Sequence, residues 1–388
     1  MSISRSSIVQ AFEKRFGAAP EVVVRAPGRV NIIGEHTDYN HGFVLPMAIE
    51  RETVIAARRR NDRLLQACAE NLDCETTANL DHRVRNAVEP WIDYIIGVAD
   101  ELAMEGRPLC GADLLIEGDV PIGCGLSSSA ALEMAALCMF EQFGGFRMEG
   151  AAAARLGQRV ENRFLGLSTG IMDQFISRCG RAGHGLFLDC RTFEYELVPI
   201  AFADAVFVIA NTACPRGLTS SKYNERVAEC GEAVQALQKG VRPDGTHLRD
   251  YTLAELDACR EGMSPTAYRR ARHVITENDR TVAACAAMRA GNTALLGELM
   301  TASDHSLRED YEVTNAELDA MTAIARELPG CMGARMTGAG FGGCTINLVA
   351  VDAAEDFAAA LMARYTDATG RTGEVILSNP VDGAGVMG

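Results

Sequence analysis

The chain has 388 residues, of which 48% are hydrophobic and 23% are charged, a composition typical of a folded globular protein and a length that favours two domains. Its formal net charge of −15 repels phosphate backbones and anionic membrane surfaces, so we expect neither nucleic acid nor a membrane as a partner. No run of about 18 apolar residues predicts a membrane span, and the N-terminal residues lack the apolar core of a signal peptide, so we expect a cytoplasmic protein.

The first predicted elements are two strands on either side of a long polar segment. β-Branched residues at 22–25 and 52–57 predict the strands, and the composition from Pro27 to Gly42 is typical of a loop. Long ordered loops in compact domains usually have a function, because an irregular backbone must find its own hydrogen-bond partners. The polar side chains of this loop are Arg29, Glu35, His36, Asp38, Tyr39 and Asn40. Such a set suits a polyhydroxyl ligand such as a sugar; the alternative is a solvated surface loop.

The elements after this loop alternate between helix and strand without a regular βαβ rhythm. Helical spacing over 91–102 and a strand-like run at 112–117 come first, and a helix from about 127 to 143 follows a glycine loop. Further predicted elements are a helix at 151–164, strands at 185–189 and 205–210, helices at 220–239 and 267–299, a strand at 344–351, a helix at 353–365 and a strand at 374–377. The second half is therefore rich in helix.

A glycine- and serine-rich segment from Val120 to Glu133, VPIGCGLSSSAALE, opens the helix predicted after it. Its backbone N–H groups and the partial positive charge of the helix N-terminus suit a phosphate, and serine hydroxyls can bond phosphate oxygens or ligate Mg²⁺. The alternative is an ordinary helix capped by serine after a glycine turn. The chain has neither the Walker pattern G-x-x-x-x-G-K-[ST] nor the protein-kinase motifs, which excludes those two classes.

A second glycine loop, GAGFGG at 338–343, matches the dinucleotide-binding pattern G-x-G-x-x-G. An apolar, strand-like run follows it where a Rossmann fold requires a helix, so we reject a dinucleotide site. We expect this loop to let the backbone approach a ligand or the first glycine loop closely. The alternative is a plain tight turn.

Together the three motifs resemble the signature set of the GHMP kinases, a family of sugar and metabolite kinases. The segment GRVNIIGEHTDYN at 28–40 is similar to that of the galactokinases in particular. The likeness continues in chain order through GIMDQF at 170–175, LDCR at 188–191, RHVITEN at 272–278, SDHSL at 303–307 and GAG at 383–385. It therefore extends over nearly the whole chain.

The resemblance implies an α+β fold with the two-domain GHMP kinase architecture. The N-terminal domain would resemble domain 2 of ribosomal protein S5, and the C-terminal domain would be ferredoxin-like. We place the boundary near Pro199, where a new run of elements begins, which gives domains of residues 1–199 and 200–388. The active site is expected in the cleft between them, in a monomeric enzyme.

The resemblance also implies a role for each matching residue. Asp173 matches the aspartate that takes or orients the proton of the sugar C1 hydroxyl, and Arg29 matches the arginine beside it. Ser129 and Glu161 match the ligands of Mg²⁺. The implied sugar contacts are Glu35 and His36 at O6, Asp38 on the O3/O4 side, and Gly170, Asp173 and Tyr223. The implied ATP-binding residues are Trp91, Pro121, Gly123, Gly125, Leu126, Ser127, Ser128 and Ser129. For Trp91 and Tyr223 taken alone, an aromatic residue of the core is the alternative.

These roles predict Mg²⁺- and ATP-dependent phosphorylation of α-D-galactose at C1, a step of galactose metabolism. An aspartate with an ordinary pKa near 4 is a weak base for a sugar hydroxyl. Either Arg29 stabilises the developing alkoxide, or Asp173 only orients the hydroxyl until late in the transfer. Both interpretations stay open.

Two departures from the family pattern lie near the expected sugar pocket. Lys222 precedes Tyr223 where galactokinases usually have glutamate, and Cys214 to Gly217 reads CPRG where a basic residue followed by histidine is common. They leave open a kinase for another galacto-configured sugar, namely N-acetylgalactosamine, L-arabinose or galacturonate. A non-catalytic sugar-sensing regulator is a further alternative, but such proteins lack part of the serine loop, which is complete here.

Overall fold

The computed structural model describes residues 3–214 and 219–388. The helices are α1 Arg5–Phe16, α2 Asp93–Met104, α3 Ser128–Gly144, α4 Gly150–Arg159, α5 Met172–Cys179, α6 Thr219–Gly240, α7 Leu253–Ala258, α8 Pro265–Arg289, α9 Thr293–Ser306, α10 Ala316–Glu327 and α11 Ala354–Thr369. The strands are β1 Val22–Ile33, β2 Phe43–Arg59, β3 Leu64–Ala69, β4 Cys74–Asn79, β5 Ala112–Gly118, β6 His184–Asp189, β7 Tyr195–Pro199, β8 Ala205–Asn211, β9 Cys331–Thr337, β10 Cys344–Ala350, β11 Glu374–Leu377 and β12 Gly385–Val386.

The strands form two sheets. The larger has eight strands in the order β12-β1-β2-β5-β3-β4, with β6 and β7 attached through β2. The smaller has four antiparallel strands in the order β11-β8-β10-β9. The chain changes sheet between β7 and β8, and its last strand returns to β1. The boundary near Pro199 falls at this change of sheet and stays a prediction.

The hydrophobic core joins the two sheets. Ile32 and Leu45 of the large sheet lie in one buried cluster with Ile209 and Ile346 of the small sheet and with residues of α8 and α9. Helices α2, α3 and α4 cover one face of the large sheet, and α1 packs on the opposite face. No helix of the described residues is both long and apolar enough to span a bilayer.

The predicted loop from Pro27 to Gly42 is wrong for residues 27–33, which belong to a strand. Strand β1 continues to Ile33, with register shifts after Pro27 and after Asn31. Pairing with β2 and burial of the apolar side chains between the polar ones outweigh the low strand propensity of Pro and Gly. Only residues 34–42 lie between the strands.

Two predicted helices are also interrupted. The helix predicted at 267–299 is broken between α8 and α9, where Gly291 has a φ of +64° and the Asn292 side chain caps α9. The helix predicted at 151–164 ends as α4, and residues 160–164 form a π-helical turn instead. A second π-helical turn, Leu307–Tyr311, follows α9. Such turns often occur at functional sites, and both of these carry residues of the site described below.

Candidate active site

One cavity of about 290 Å³ lies where the loop after β1, the turn after α4, the start of α6 and the loop after β9 meet. The nine residues expected to act in catalysis, sugar binding or metal binding line it: Arg29, Glu35, His36, Asp38, Ser129, Glu161, Gly170, Asp173 and Tyr223. The rest of its wall is Tyr39, residues 166–169, Met172, Asn224, Gly338 and Ala339. Residues far apart in the sequence are therefore brought to one place.

A buried arginine orients Asp173 at the wall of this cavity. Arg29 Nε donates to Asp173 Oδ1 at 2.8 Å and Nη2 donates to Oδ2 at 2.6 Å. Arg29 is only 4% exposed, whereas the Asp173 side chain remains 31% exposed, so the carboxylate is held from behind and open toward the cavity. Two parallel N–H···O bonds fix the plane of a carboxylate as well as its position.

The serine loop supports the same pair. Arg29 donates to the carbonyl oxygen of Gly125, and the Ser127 hydroxyl donates to Asp173 Oδ2. Ser127 has a φ of +60° and its side chain makes no capping bond to α3. The alternative of an ordinary serine cap at Ser127 is therefore wrong, because its hydroxyl bonds to Asp173 instead. The first N–H groups of α3 receive no bond from this side chain.

Ser129 and Glu161 lie side by side on the cavity wall. The Ser129 hydroxyl donates to Glu161 Oε1 at 3.3 Å, and Glu161 belongs to the π-helical turn after α4. Burial raises the pKa of Glu161, and the charge of Asp173 raises it further. A cation would offset this cost. No group of three or more His, Cys, Asp and Glu side chains within residues 3–214 and 219–388 is arranged to hold a metal, so a cation here would take its other ligands from phosphate and water.

Glu35 is held by the protein on both carboxylate oxygens. Oε1 accepts from the Gly338 N–H at 2.6 Å and Oε2 accepts from Asn31 Nδ2 at 2.9 Å. The guanidinium of Arg335, which is completely buried, lies 3.5 Å from Oε1. Burial still raises the pKa of Glu35, against the lowering by Arg335 and Asn31. The second glycine loop thus approaches the cavity and the loop of residues 34–42, called the sugar loop below, rather than forming an isolated turn.

Gly170 is next to Asp38, and the contact explains why glycine stands there. A Cβ atom at position 170 would lie 1.5 Å from Asp38 Oδ2. Burial raises the pKa of Asp38 to about 7, and the nearby charge of Asp173 adds to the shift. Tyr223 completes this side of the cavity from α6, with its ring 4.7 Å from the ring of Tyr39.

The residues expected to bind ATP lie outside this cavity, except for Ser129. Trp91 packs against the core under α2, and its Nε1 donates to Glu89 Oε2 at 2.9 Å. Pro121, Gly123, Gly125, Leu126, Ser127 and Ser128 lie in the loop before α3 and in its first turn. Leu126 anchors that loop by accepting from the Arg29 N–H at 3.0 Å. Their contact with a nucleotide stays a prediction.

The structure describes the first departure from the family pattern, Lys222, but little of the second. Lys222 is exposed, with Nζ 4.8 Å from the ring centroid of Phe341. Pro215, Arg216 and Gly217 lie outside the described residues, so the expectation about Cys214 to Gly217 is not addressed by the structure.

Sequence reasoning missed two buried residues that hold this site. Arg335 forms an ion pair with Glu35, and the Tyr311 hydroxyl lies 2.8 Å from the Tyr39 hydroxyl. Arginine in the otherwise apolar run of β9 was the one signal for Arg335, whereas nothing in the local sequence distinguishes Tyr311.

Comparisons with known proteins point in one direction. Residues 10–59 match the model of the galactokinase galactose-binding signature, residues 93–181 match the GHMP kinases N terminal domain, and residues 284–366 match the GHMP kinases C terminal model. A galactokinase of Chloroflexus aggregans is 45% identical over 381 residues, which is 98% of this chain and 97% of that protein. A galactokinase of Homo sapiens is 41% identical over 385 residues, or 97% of this chain and 95% of that protein.

Solved structures agree with the sequence matches. The crystal structure of Lactococcus lactis galactokinase complexed with galactose has a TM-score of 0.94 and 39% identity, and the match covers 98% of this chain and 99% of that chain. A mevalonate kinase structure has a TM-score of 0.65 at 18% identity over 92% of this chain and 100% of that chain, a likeness of fold alone.

Proposed function

The chain belongs to the galactokinase family of the GHMP kinases, and from that premise we propose how its own residues carry out the reaction. The predicted family, α+β fold and sugar-kinase activity are confirmed. The protein phosphorylates galactose with ATP as phosphoryl donor. In our proposal the sugar occupies the described cavity and its C1 hydroxyl receives the γ-phosphoryl group, giving galactose 1-phosphate and ADP.

The observation that carries the proposal is the Arg29–Asp173 pair at the wall of a cavity that also contains the sugar loop. Phosphoryl transfer asks the protein mainly to align the acceptor with the transferred group and to neutralise charge. Asp173 would accept a hydrogen bond from the C1 hydroxyl and hold its oxygen in line. Arg29 would keep the carboxylate in place and stabilise charge as the C1 oxygen loses its proton.

We propose that Mg²⁺ is held by Ser129 and Glu161 together with ATP phosphates and water. Both donors are hard oxygens, as this ion prefers. Within residues 3–214 and 219–388, the buried Glu161 carboxylate bonds to no protein cation. The ion would neutralise phosphate charge during the transfer. The phosphates would lie at the N-terminus of α3, whose capping residue Ser127 leaves the helical N–H groups to another partner.

The alternatives weighed from the sequence are not favoured. The relatives whose match covers 97% of this chain are galactokinases. Their names favour galactose as the substrate over N-acetylgalactosamine, L-arabinose and galacturonate. The complete serine loop and the oriented Asp173 favour an enzyme over a sugar sensor. We further propose a monomeric, cytoplasmic enzyme, and the net charge of −15 supports the absence of a nucleic-acid or membrane partner.

A sugar panel tests this function. ADP release would be measured with galactose, glucose, N-acetylgalactosamine, L-arabinose and galacturonate at equal concentrations, with and without Mg²⁺. We expect turnover of galactose that exceeds that of every other sugar and disappears without the metal. Faster turnover of another sugar would overturn the substrate, and metal-independent turnover would overturn the proposed role of Mg²⁺.

A further inference from the structure

A line of four side chains runs from the cavity into the C-terminal core. His36 Nδ1 lies 2.9 Å from the Tyr39 hydroxyl, and that hydroxyl lies 2.8 Å from the hydroxyl of Tyr311. The Tyr311 hydroxyl in turn lies 3.3 Å from the sulfur of Cys230. Tyr311 is completely buried in the cluster of α6 and α8, so the inner end of this line is closed to water.

The cavity end of this line is a nitrogen without a partner. His36 is 5% exposed, and its Nε2 makes no hydrogen bond within the described part of the chain. His36 lines the cavity, so a sugar hydroxyl is the partner that this atom is placed to meet. Leaving such a buried atom unpaired costs about 1–3 kcal/mol, which ligand binding would recover.

The His36 ring is neutral at physiological pH. Burial, together with the neighbouring His273, lowers its pKa to about 3. A neutral imidazole carries one hydrogen, on Nδ1 or on Nε2, and the bond at one nitrogen decides the state of the other. The Tyr39 hydroxyl faces Nδ1 and is able either to donate to it or to accept from it.

Tyr311 removes this ambiguity. When the Tyr311 hydroxyl donates to the oxygen of Tyr39, the hydrogen of Tyr39 is directed to Nδ1, and the His36 hydrogen must be on Nε2. Among the described residues, the Tyr311 hydroxyl has two polar neighbours, the Tyr39 oxygen and the Cys230 sulfur, and because a sulfur is a weak acceptor its hydrogen is directed to Tyr39.

We propose that Tyr311 is a positioning residue for sugar recognition: through Tyr39 it fixes the His36 tautomer that presents Nε2–H to a hydroxyl of the bound sugar. The proposal rests on the proposed function, because it takes the sugar to occupy the cavity. Tyr311 itself touches no substrate. It comes from the π-helical turn after α9, so a residue of the C-terminal half of the chain determines the tautomer of a side chain in the N-terminal half.

The first test compares two deletions of a buried phenol hydroxyl. Tyr311→Phe removes the donor to Tyr39, whereas Tyr251→Phe removes a hydroxyl of the same core cluster that donates to the carbonyls of Arg242 and Gly245. One neutral hydrogen bond corresponds to roughly fivefold in an equilibrium constant. We expect Tyr311→Phe to raise KM for galactose about fivefold with kcat within about twofold of wild type. Tyr251→Phe should leave KM unchanged.

A double-mutant cycle with His36→Ala shows whether Tyr311 acts through His36. We expect Tyr311→Phe to have no further effect on KM once the imidazole is absent. An equal rise of KM in both backgrounds would assign Tyr311 a structural role and overturn the proposal.

The tautomer is measured directly by ¹⁵N NMR of protein labelled at histidine, without sugar. The His36 signals of wild type should show hydrogen on Nε2, and those of Tyr311→Phe should shift toward a mixture of both tautomers. Hydrogen on Nδ1 in wild type, or identical signals in both proteins, would contradict the proposal. Because this measurement needs no turnover, it separates failure of the proposal from failure of the proposed galactose reaction.

Discussion

Gly170→Ala should impair sugar binding through Asp38 alone. The added Cβ would lie 1.5 Å from Asp38 Oδ2 and 2.1 Å from Cγ, while unbonded heavy atoms need about 3.5 Å. The carboxylate must therefore retreat by about 2 Å, which is enough to break a hydrogen bond to a sugar hydroxyl. A hydrogen bond to a charged group contributes about 1.5–3 kcal/mol, so we expect kcat/KM for galactose to fall roughly 10- to 100-fold.

The assay is steady-state kinetics with galactose, accompanied by thermal unfolding of each variant. Gly231→Ala is the matched control, because Gly231 lies in α6 and a Cβ there meets nothing within 4 Å. In an Asp38→Ala background, Gly170→Ala should lower kcat/KM for galactose little further, since the carboxylate that it displaces is absent. A Gly170→Ala enzyme with wild-type kcat/KM would refute the reasoning, and so would a loss of the same size in the Asp38→Ala background.

Three further predictions concern the charged groups of the cavity. Asp173→Asn should fold and bind ATP but lower kcat by about 100-fold or more, as expected for a positioned proton acceptor; kcat near wild type would exclude that role. Glu161→Gln should raise the Mg²⁺ concentration needed for half-maximal rate, whereas Glu298→Gln on the exposed side of α9 should not; equal metal dependence in both would remove Glu161 from the metal site. The pKa of Asp38 is raised to about 7 from 3.8, so the fold binds its proton more tightly than the unfolded chain, and the free energy of unfolding should fall as pH rises between these values. Asp38→Asn should weaken that fall in denaturant titrations from about pH 5 to about pH 7, and an unchanged slope would contradict the shift.

The sequence predicts those parts of the site whose functional residues are close together in the chain. The serine loop and the segment around Asp173 each place their functional side chains within a few residues of a glycine or a helix start, so pattern and propensity are enough to find them. The likeness to GHMP kinases then supplies the roles, which spacing alone does not determine. All nine residues expected at the sugar or the metal line one cavity, although their roles stay predictions.

The missed features depend on contacts between distant parts of the chain. The Glu35–Arg335 ion pair joins residues 300 positions apart, and the Tyr39–Tyr311 contact spans 272. Strand β1 passes through Pro27 and Gly28 because pairing with β2 accommodates them as an irregularity, which propensity alone does not anticipate. The break at Gly291 was visible as a helix-ending glycine followed by a capping asparagine, but the helical periodicity on both sides of it obscured the signal.

The position of the new phosphate tests the central claim most directly. The product formed from galactose, ATP and Mg²⁺ would be analysed by ³¹P–¹H correlation NMR. We predict one sugar phosphate whose phosphorus correlates with the anomeric proton, because Asp173 is proposed to hold the C1 hydroxyl. A correlation with the C6 protons, or no sugar phosphate under conditions in which the protein is folded and binds ATP, would contradict the account.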